Sequence, residues 1–267
     1  MASWDAEQYL KYDAERTRPA RELAAAVRLD APTAILDAGC GPGNSTAVLA
    51  ARWPSARLTG LDASPVMLDR ARVALPGAAF IQGDLNGDLS GLGRFDVVFS
   101  NAALQWLSSP EGTAEKLFAL VKPGGALAVQ VPQSHPAHTG GLRLESGDAH
   151  RLLCETAAEP PFAAWTEGAT RLTDFSGARM YDRLVPLASA LDLWETTYCH
   201  VLDGYDGLAE WYRGTGMRPY LDRLPDNGMR EAFVRRFVER AAAEYPRAAD
   251  GKLLLWFRRV FLIAYRV

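Results

Sequence analysis

The 267-residue chain has few cysteines, no long apolar run and no excess of positive charge. Its three cysteines are scattered, so one would stay unpaired, which argues against a disulfide-stapled secreted protein. No apolar run approaches the ~18–20 residues of a membrane-spanning helix. The net charge of −3 disfavours nucleic acid as a partner, because a nucleic-acid surface needs a basic surplus.

The first ten residues, MASWDAEQYL, lack the basic and apolar segments of a signal peptide. Together with the cysteine content, they predict a cytoplasmic protein that does not associate with a membrane. Hydrophobic residues make up 48% of the chain and charged residues 23%, as is ordinary for a protein with a large core. We expect a monomer or a weak homodimer.

The most informative segment runs from Ile35 to Thr46 and reads ILDAGCGPGNST, an apolar strand followed by a glycine-rich turn and the polar start of a helix. Gly39 and Gly41 allow positive φ angles and a close approach of the backbone to a ligand. Asp62 follows the next apolar strand, where its carboxylate can accept hydrogen bonds from both hydroxyls of a ribose. The pattern is typical of a site for a nucleotide-like cofactor.

The spacing of the glycines favours S-adenosylmethionine over NAD or FAD. A dinucleotide site needs G-x-G-x-x-G, but the sixth position counted from Gly39 is Asn44. Pro42 also removes one backbone N–H from a loop in which a pyrophosphate would use many donors.

Two more strands end on polar residues. We expect these residues to lie beside Asp62 along the ligand-binding rim at the carboxyl ends of the strands. Asp84 follows the apolar residues Phe80 and Ile81, where it can accept a hydrogen bond from the adenine amine, and Asn101 ends the strand that begins at Phe95. The predicted cofactor-binding residues are therefore Gly39, Gly41, Asp62, Ala63, Asp84, Leu85 and Asn101.

Alternating strands and helices over residues 34–131 predict an α/β fold with a doubly wound, Rossmann-like and mostly parallel sheet, whose ligand crevice lies at the carboxyl ends of the strands. We expect an antiparallel strand near the end of the chain. Proline at the first helical position predicts a helix from Pro19 to Val27, and a further helix is expected over Tyr181 to Ala190. Met229, Phe233, Phe237 and Ala241 recur at a helical spacing.

The predicted domain organisation has three parts. Residues 1–30 form lid helices, residues 31–201 with 251–267 form the cofactor-binding domain, and residues 202–250 form a helical cap. A loop insertion over residues 133–178 belongs to the cofactor-binding domain and is rich in Pro, Gly, Ser and Thr.

The whole chain resembles the trans-aconitate methyltransferases, a family of class I S-adenosylmethionine-dependent enzymes. The glycine turn is shared by very many methyltransferases, whereas the segments beyond it are more specific. These segments are Ser3 to Leu10, Ala14 to Pro19, Arg52 to Pro54, Asn101 to Leu107, Thr196 to Tyr198, and Thr215 to Leu221. The loop over 133–179 departs most from the family in length and in residue types, and such loops commonly wall the acceptor pocket.

The resemblance implies O-methylation of a carboxylate on a small polycarboxylic acid, with S-adenosylhomocysteine as the second product. A carboxylate is already anionic at neutral pH, so no general base is required. Arginine suits the remaining carboxylates because its planar guanidinium makes two parallel hydrogen bonds. Pro219 predicts a non-helical Arg218. The candidates for orienting the substrate are Tyr9, Arg16, Arg18, Gln105, Trp106, Tyr198, Arg218 and Arg259. Arg16 is equally suited to bind the methionine carboxylate of the cofactor.

Two alternative functions share the same cofactor residues. A methyltransferase acting on a hydroxyl or an amine would need a base, for which His200 and Tyr198 are the candidates. A non-catalytic protein that binds S-adenosylmethionine would have no need of an arginine cluster. His135, His138, His150 and Cys154 have a spacing that can surround zinc, but they lack paired cysteines, and we expect no metal.

Overall fold

The computed structural model describes residues 13–133, 148–169 and 175–267. Contacts divide the chain into two units. The sheet unit comprises the described residues within 14–132, 172–196 and 259–267, and the helical unit comprises those within 133–171 and 197–258. The domain boundaries predicted from the sequence stay a prediction.

The described strands form one seven-stranded sheet in the order β3-β2-β1-β4-β5-β7-β6. The strands are β1 (Ala34–Ala38), β2 (Arg57–Asp62), β3 (Ala79–Gln82), β4 (Phe95–Asn101), β5 (Val121–Gln133), β6 (Ala190–Leu202) and β7 (Leu253–Tyr265). Strands β1 to β5 pair in parallel. Their right-handed crossovers place all five carboxyl ends at one edge of the sheet.

The last strand runs against its neighbours. The Gly124 N–H near the start of β5 donates to the Arg266 carbonyl just past the end of β7, over 3.0 Å. The Ser189 N–H just before β6 donates to the carbonyl of Tyr265, over 2.8 Å. Strand β7 is therefore antiparallel to both β5 and β6, and the predicted doubly wound sheet with an antiparallel strand near the end is confirmed.

Ten helices accompany the strands in the described part of the chain. They are α1 (Asp13–Ala26), α2 (Asn44–Arg52), α3 (Pro65–Ala74), α4 (Pro110–Ala119), α5 (Ala149–Ala157), α6 (Ala163–Thr166), α7 (Gly177–Leu184), α8 (Gly204–Arg213), α9 (Arg218–Leu221) and α10 (Asn227–Glu244). Short 3-10 turns occupy Ser90–Leu92 and Leu104–Trp106. Ser64 and Asp148 accept backbone N–H groups at the starts of α3 and α5, as N-cap residues do.

One face of the sheet is apolar. Alternate residues of β5, such as Leu127 and Val129, pack in a buried cluster with Leu117 of α4, Met180 of α7 and Leu262 of β7. Successive side chains of a strand point to opposite faces, so the residues between them lie on the other face. There the rings of Trp194 and Phe261 stack with centroids 4.9 Å apart. Glu22 of α1 accepts hydrogen bonds from Thr196 and Trp194 on the same face.

The helical unit has its own core. Phe233, Phe237 and Ala241 of α10 are fully buried, which confirms the apolar face predicted from their spacing. Phe162 packs edge-on against Phe233, with ring centroids 5.2 Å apart. On the solvent side, Arg236 binds Glu159 through two hydrogen bonds of 2.7 and 2.9 Å.

Two helix boundaries differ from those expected. Pro19 lies inside α1 and does not begin it, because Ala14 and Glu15 are helix formers that extend the helix before the proline. The helix predicted over Tyr181 to Ala190 spans Gly177–Leu184, because the side chain of Ser176 accepts the N–H of Arg179 and starts the helix earlier.

Candidate functional site

The residues predicted to bind the cofactor follow the carboxyl ends of β1 to β4. Asp84 comes after β3, Asp62 ends β2, Gly39 follows β1 and Asn101 ends β4. The strand order β3-β2-β1-β4 therefore places these four polar or glycine positions side by side along one rim. This rim is where ligands bind in open parallel sheets.

The glycine turn has the backbone geometry that its sequence predicts. Gly39 and Gly41 have φ angles of +78° and +54°. A Cβ on Gly39 would lie 2.3 Å from the Cβ of Ala103, so the turn after β1 touches the turn after β4. The Gly39 N–H donates to the carbonyl of Leu61 over 2.7 Å, which also joins the turn to β2. A side chain at position 39 has no room.

Asp62 is held rigidly beside the glycine turn. Its Oδ2 accepts the N–H of Gly41 and its Oδ1 accepts the N–H of Ser64, each over 2.9 Å. A carboxylate offers about four lone-pair sites, so about two remain for the hydroxyls of a ribose. Asp84 is exposed, and its Oδ1 accepts the backbone and side-chain N–H groups of Asn86. Leu85, which follows Asp84, is buried, and Ala63, which follows Asp62, is exposed.

The turn after β4 holds a strained residue. Ala102 has a φ angle of +54°, in a region that costs a residue with a Cβ about 1–3 kcal/mol. Its N–H donates to the Gln130 carbonyl over 2.9 Å, and its carbonyl accepts from Gln105 Nε2 over 2.6 Å. These two bonds from both sides hold the chain between Asn101 and Gln105 in one conformation.

Asp37 of β1 is a further candidate site residue, which the sequence alone did not reveal. Its carboxylate is 1% exposed, and its Oδ2 accepts the hydroxyls of Ser45 and Thr46 over 2.7 and 2.6 Å. Burial raises its pKa to about 6, against the opposing effect of the two hydroxyls. Its Oδ1 has no hydrogen-bond partner among the described residues. The signal in the sequence was an acidic residue inside an apolar strand.

Four of the predicted acceptor-binding residues belong to the sheet unit. Gln105 is buried and Trp106 is 40% exposed, and both lie in the 3-10 turn that follows β4. Arg18 is exposed on α1. Arg259 of β7 is 7% exposed, which is unusual for a charged side chain.

Two further candidates belong to the helical unit. Tyr198 is 3% exposed, and the ring of His200, itself 4% exposed, lies 4.5 Å from that of Trp211. The expectation of a non-helical Arg218 is wrong: Arg218 begins α9, because Pro219 occupies the first helical turn, where its missing N–H costs nothing. The Arg218 Nε lies 3.4 Å from Asp222 Oδ2.

Some predicted residues lie outside the described part of the chain. These are Tyr9, His135, His138 and the side chain of Arg16. Among the described residues, no group of three His, Cys, Asp or Glu side chains is arranged to hold a metal ion. Within the same ranges, no helix is long and apolar enough to cross a membrane.

Comparison with known proteins assigns the family. Residues 35–125 match the model of a methyltransferase domain. A trans-aconitate 2-methyltransferase of Methylobacterium nodulans is 46% identical to this chain, covering 100% of it and 99% of the relative. The enzyme of the same name from Rhodopseudomonas palustris is 43% identical, with both chains covered completely.

The chain belongs to the trans-aconitate 2-methyltransferase family. The predicted enzyme class and S-adenosylmethionine as the methyl donor are thereby confirmed, and the alternative of a non-catalytic binding protein is wrong. Like other members of the family, the chain acts on a small molecule. The solved structure of the YcgJ protein from Bacillus subtilis has the same fold, with a TM-score of 0.58 at 11% identity, over 93% of this chain and 99% of that one.

Proposed function

We propose that this chain transfers the methyl group of S-adenosylmethionine to a carboxylate oxygen of trans-aconitate or a closely related small polycarboxylic acid. The observation that carries the proposal is the similarity over the full chain. The alignments with relatives named trans-aconitate 2-methyltransferase cover the whole chain at 46% and 43% identity, not only the 35–125 segment that resembles methyltransferases in general.

The rim residues would bind the cofactor through complementary polar groups. Asp62 would accept from the two ribose hydroxyls, and the carboxylate of Asp84 would accept from the adenine amine. Gly39 and Gly41 would let the backbone approach the ligand. Ala63, Leu85 and Asn101 would line the cofactor site beside the two carboxylates. When bound, S-adenosylmethionine supplies an electrophilic methyl group on a positively charged sulfur.

Asp37 adds a reason for a cationic ligand at this rim. Its buried carboxylate is destabilised when ionised, since burial raises its pKa. The ammonium group of the methionine portion would offset that destabilisation, as an opposite charge nearby favours the ionised form. The hydroxyls of Ser45 and Thr46 would keep the carboxylate in one orientation.

The chemistry requires orientation and little else from the protein. A carboxylate oxygen of the acceptor forms a bond to the methyl carbon, the carbon–sulfur bond breaks, and its electron pair stays on sulfur. The products are a methyl ester and S-adenosylhomocysteine, and no proton is transferred. The protein would align the two reactants in line, about 3–3.5 Å apart, and exclude water.

The residues proposed to hold the acceptor are arginines and amide, indole or phenol donors. Arg259 and Gln105 are the strongest of them, because both are buried polar side chains of the sheet unit, whereas Arg18 and Trp106 of that unit are exposed. The full proposed set is Tyr9, Arg16, Arg18, Gln105, Trp106, Tyr198, Arg218 and Arg259. A cytoplasmic location, a monomer or weak homodimer, and the absence of nucleic-acid and membrane partners also remain predictions from the sequence.

The two candidate bases lie in a group of aromatic rings in the helical unit. The ring of His200 is near those of Tyr198, Trp211 and Phe257. Attack by an already ionised carboxylate requires neither residue as a base. Tyr198 therefore stays in the proposed set as a phenol donor to the acceptor.

A methylation assay with isotopically labelled S-adenosylmethionine tests the proposal. The purified protein is incubated with trans-aconitate, other di- and tricarboxylic acids, phenols and amines, and the products are identified by mass spectrometry. We expect methyl esters of polycarboxylic acids, with trans-aconitate among the best acceptors. Label on phenols or amines, with none on any polycarboxylate, would contradict the proposal.

A pair of variants sharpens the assay. Arg259→Lys keeps the charge but loses the planar pair of N–H groups, so we expect a higher KM for the acid and an unchanged affinity for S-adenosylhomocysteine. Arg258→Lys, at the adjacent and half-buried position on the opposite face of β7, is the matched control and should change neither. Equal effects of the two variants on KM would remove Arg259 from the acceptor site.

A further inference from the structure

Gln130 is a polar residue in the middle of the buried strand β5. Its neighbours Leu127, Val129 and Val131 belong to the apolar cluster under α4 and α7. By the alternation of a strand, Gln130 points to the opposite face. Its register partner is Asn101 of β4, so the two amide side chains lie side by side at the carboxyl edge of the sheet.

The amide of Gln130 is fully buried and unsatisfied. The residue is 0% exposed, and neither Oε1 nor Nε2 has a hydrogen-bond partner among the described residues. Asn101 Oδ1 and Gln105 Oε1 are also buried without a partner in that part of the chain. Gln133 Oε1 at the end of β5 is a fourth such atom, and among these amides of the described chain Gln130 alone has a buried donor nitrogen without a partner. Buried polar groups are almost always hydrogen-bonded, so the unpaired amide of Gln130 indicates a ligand or water that is part of the working site.

Other buried polar groups of the sheet unit show the contrast. The Ser100 hydroxyl donates to the Ala38 carbonyl over 2.9 Å, and the Thr46 hydroxyl donates to Asp37. Both hydroxyls are therefore satisfied within the protein. Among the residues that the structure describes, the buried amides with unpaired atoms lie near the ends of β4 and β5 and in the turn between Asn101 and Gln105.

The backbone around Gln130 is fixed in advance of binding. Its carbonyl accepts the N–H of Ala102, the residue with the positive φ angle. The amide therefore projects from the central part of the sheet, beside a turn that is held on both sides. Arg259 projects from the same face of β7, the strand next to β5, because Val260 and Leu262 belong to the apolar cluster on the other face. Amide donors near a guanidinium suit a carboxylate.

We propose that Gln130 binds the acceptor, with its Nε2 donating a hydrogen bond to a carboxylate of the polycarboxylic acid. This assignment rests on the proposed function, because it takes the acceptor to be an anion. A carboxylate is only an acceptor, so the donor end of the amide is the end that it uses.

Gln130→Leu tests the proposal by removing both polar ends at nearly constant volume. We expect KM for trans-aconitate to rise about tenfold to a hundredfold, as for loss of a hydrogen bond to a charged group. Affinity for S-adenosylhomocysteine, measured by calorimetry, should stay within about twofold. The unfolding temperature without ligand should be unchanged or higher, because an unsatisfied buried amide has been replaced by an apolar side chain.

Thr156→Val is the matched control. Thr156 is also 0% exposed, but its hydroxyl donates to the Leu152 carbonyl over 2.7 Å in the helical unit. This variant should lower the unfolding temperature and leave KM unchanged. The opposite responses of the two variants separate a ligand-binding amide from a structural one.

Gln130→Glu provides a second test that does not depend on the leucine variant. The ionised carboxylate repels the substrate, so at about pH 8 its KM should exceed that of Gln130→Leu. Burial raises the pKa of such a glutamate, and its protonated form is again a donor. The KM defect should therefore shrink as the pH falls to about 6, while the KM of the wild type stays nearly constant.

The outcomes distinguish this inference from the function on which it rests. If the wild type methylates polycarboxylic acids and both Gln130 variants keep its KM at every pH, the role of Gln130 is wrong and the function stands. If the wild type methylates none of them, both are wrong. A lower unfolding temperature for Gln130→Leu together with an unchanged KM would mark a purely structural residue and also overturn the proposal.

Discussion

Replacing Gly39 by alanine should damage the cofactor site through a steric collision that the structure specifies. The new Cβ would lie 2.3 Å from the Cβ of Ala103 and 3.6 Å from Leu85 Cδ1. The residue also has a φ angle of +78°, which costs a residue with a Cβ about 1–2 kcal/mol. Because Ala103 follows the strained Ala102, the turn after β4 has little freedom to move aside.

The expected loss of unfolding free energy is the sum of the steric collision and the backbone strain. Overpacking of a well-packed site costs about 1–3 kcal/mol, so together with the backbone strain we expect Gly39→Ala to lose about 2–5 kcal/mol of unfolding free energy. Gly124→Ala is the matched control. Gly124 has the same φ angle of +78°, but a Cβ at this position would have no described heavy atom within 4 Å beyond its chain neighbours. The control should lose only the backbone contribution, about 1–2 kcal/mol.

Urea titrations of both variants, followed by circular dichroism, give the difference in unfolding free energy, and calorimetry gives the affinity for S-adenosylhomocysteine. The entropy that alanine removes from the unfolded chain is the same in both variants and cancels. We expect Gly39→Ala alone to bind the product weakly. Equal stability losses together with equal affinities would refute the reasoning that the two turns touch at Gly39.

Three other substitutions have distinct expected outcomes. Asp62→Ala should weaken S-adenosylhomocysteine binding about tenfold or more in calorimetry, since it removes the proposed ribose acceptor and the bonds from Gly41 and Ser64; an unchanged affinity would place the cofactor elsewhere. His200→Asn should lower the unfolding temperature but retain substantial turnover between about pH 6 and pH 8, because no proton has to be removed; a thousandfold loss of kcat with a steep pH dependence would indicate a base. Asp37→Asn should be more stable than the wild type at about pH 8. The folded-state pKa of Asp37 is raised from 3.8 to about 6, so wild-type stability falls as the pH rises through that window, by at most about 3 kcal/mol. Thermal melts at several pH values measure the difference in unfolding temperature between Asp37→Asn and the wild type. A difference that does not increase with pH would contradict the raised pKa of Asp37.

The sheet and the geometry of the glycine turn could be predicted from the sequence because their signals are local. Apolar strands such as Phe95 to Asn101 are short and end on turn residues, and the glycines at 39 and 41 occur where only a positive φ angle completes the turn. The order of strands follows from the right-handed crossover. Each of these features is decided within a few residues, so one sequence suffices.

Gln130 and Asp37 could not be recognised from the sequence, because the residues around them come from other parts of the chain. Gln130 lies in the run Ala126 to Val131 and reads as one polar residue in a buried strand. Only its register with Asn101 and its lack of partners in the described chain reveal it. Asp37 reads in the same way as part of β1 until Ser45 and Thr46 are seen to surround it.

The wrong expectation for Arg218 has a local cause. Proline disfavours helical geometry in the residue before it, but it also begins helices well, and the two tendencies conflict at this position. The start of α9 at Arg218 shows that the second tendency prevails here. Propensity alone does not decide between two such outcomes.

The position of β7 between β5 and β6 has a consequence for synthesis of the protein. Residues 253–265 are the last strand in chain order, yet in the described sheet they provide the link between β5 and β6. Until they leave the ribosome, β6 has no neighbour in that sheet and β5 presents an unpaired edge, which favours association with other chains. We expect nascent chains to depend on chaperones until residues 253–265 have left the ribosome, and ribosome-bound chains arrested before residue 253 to be sensitive to protease over the whole of β6.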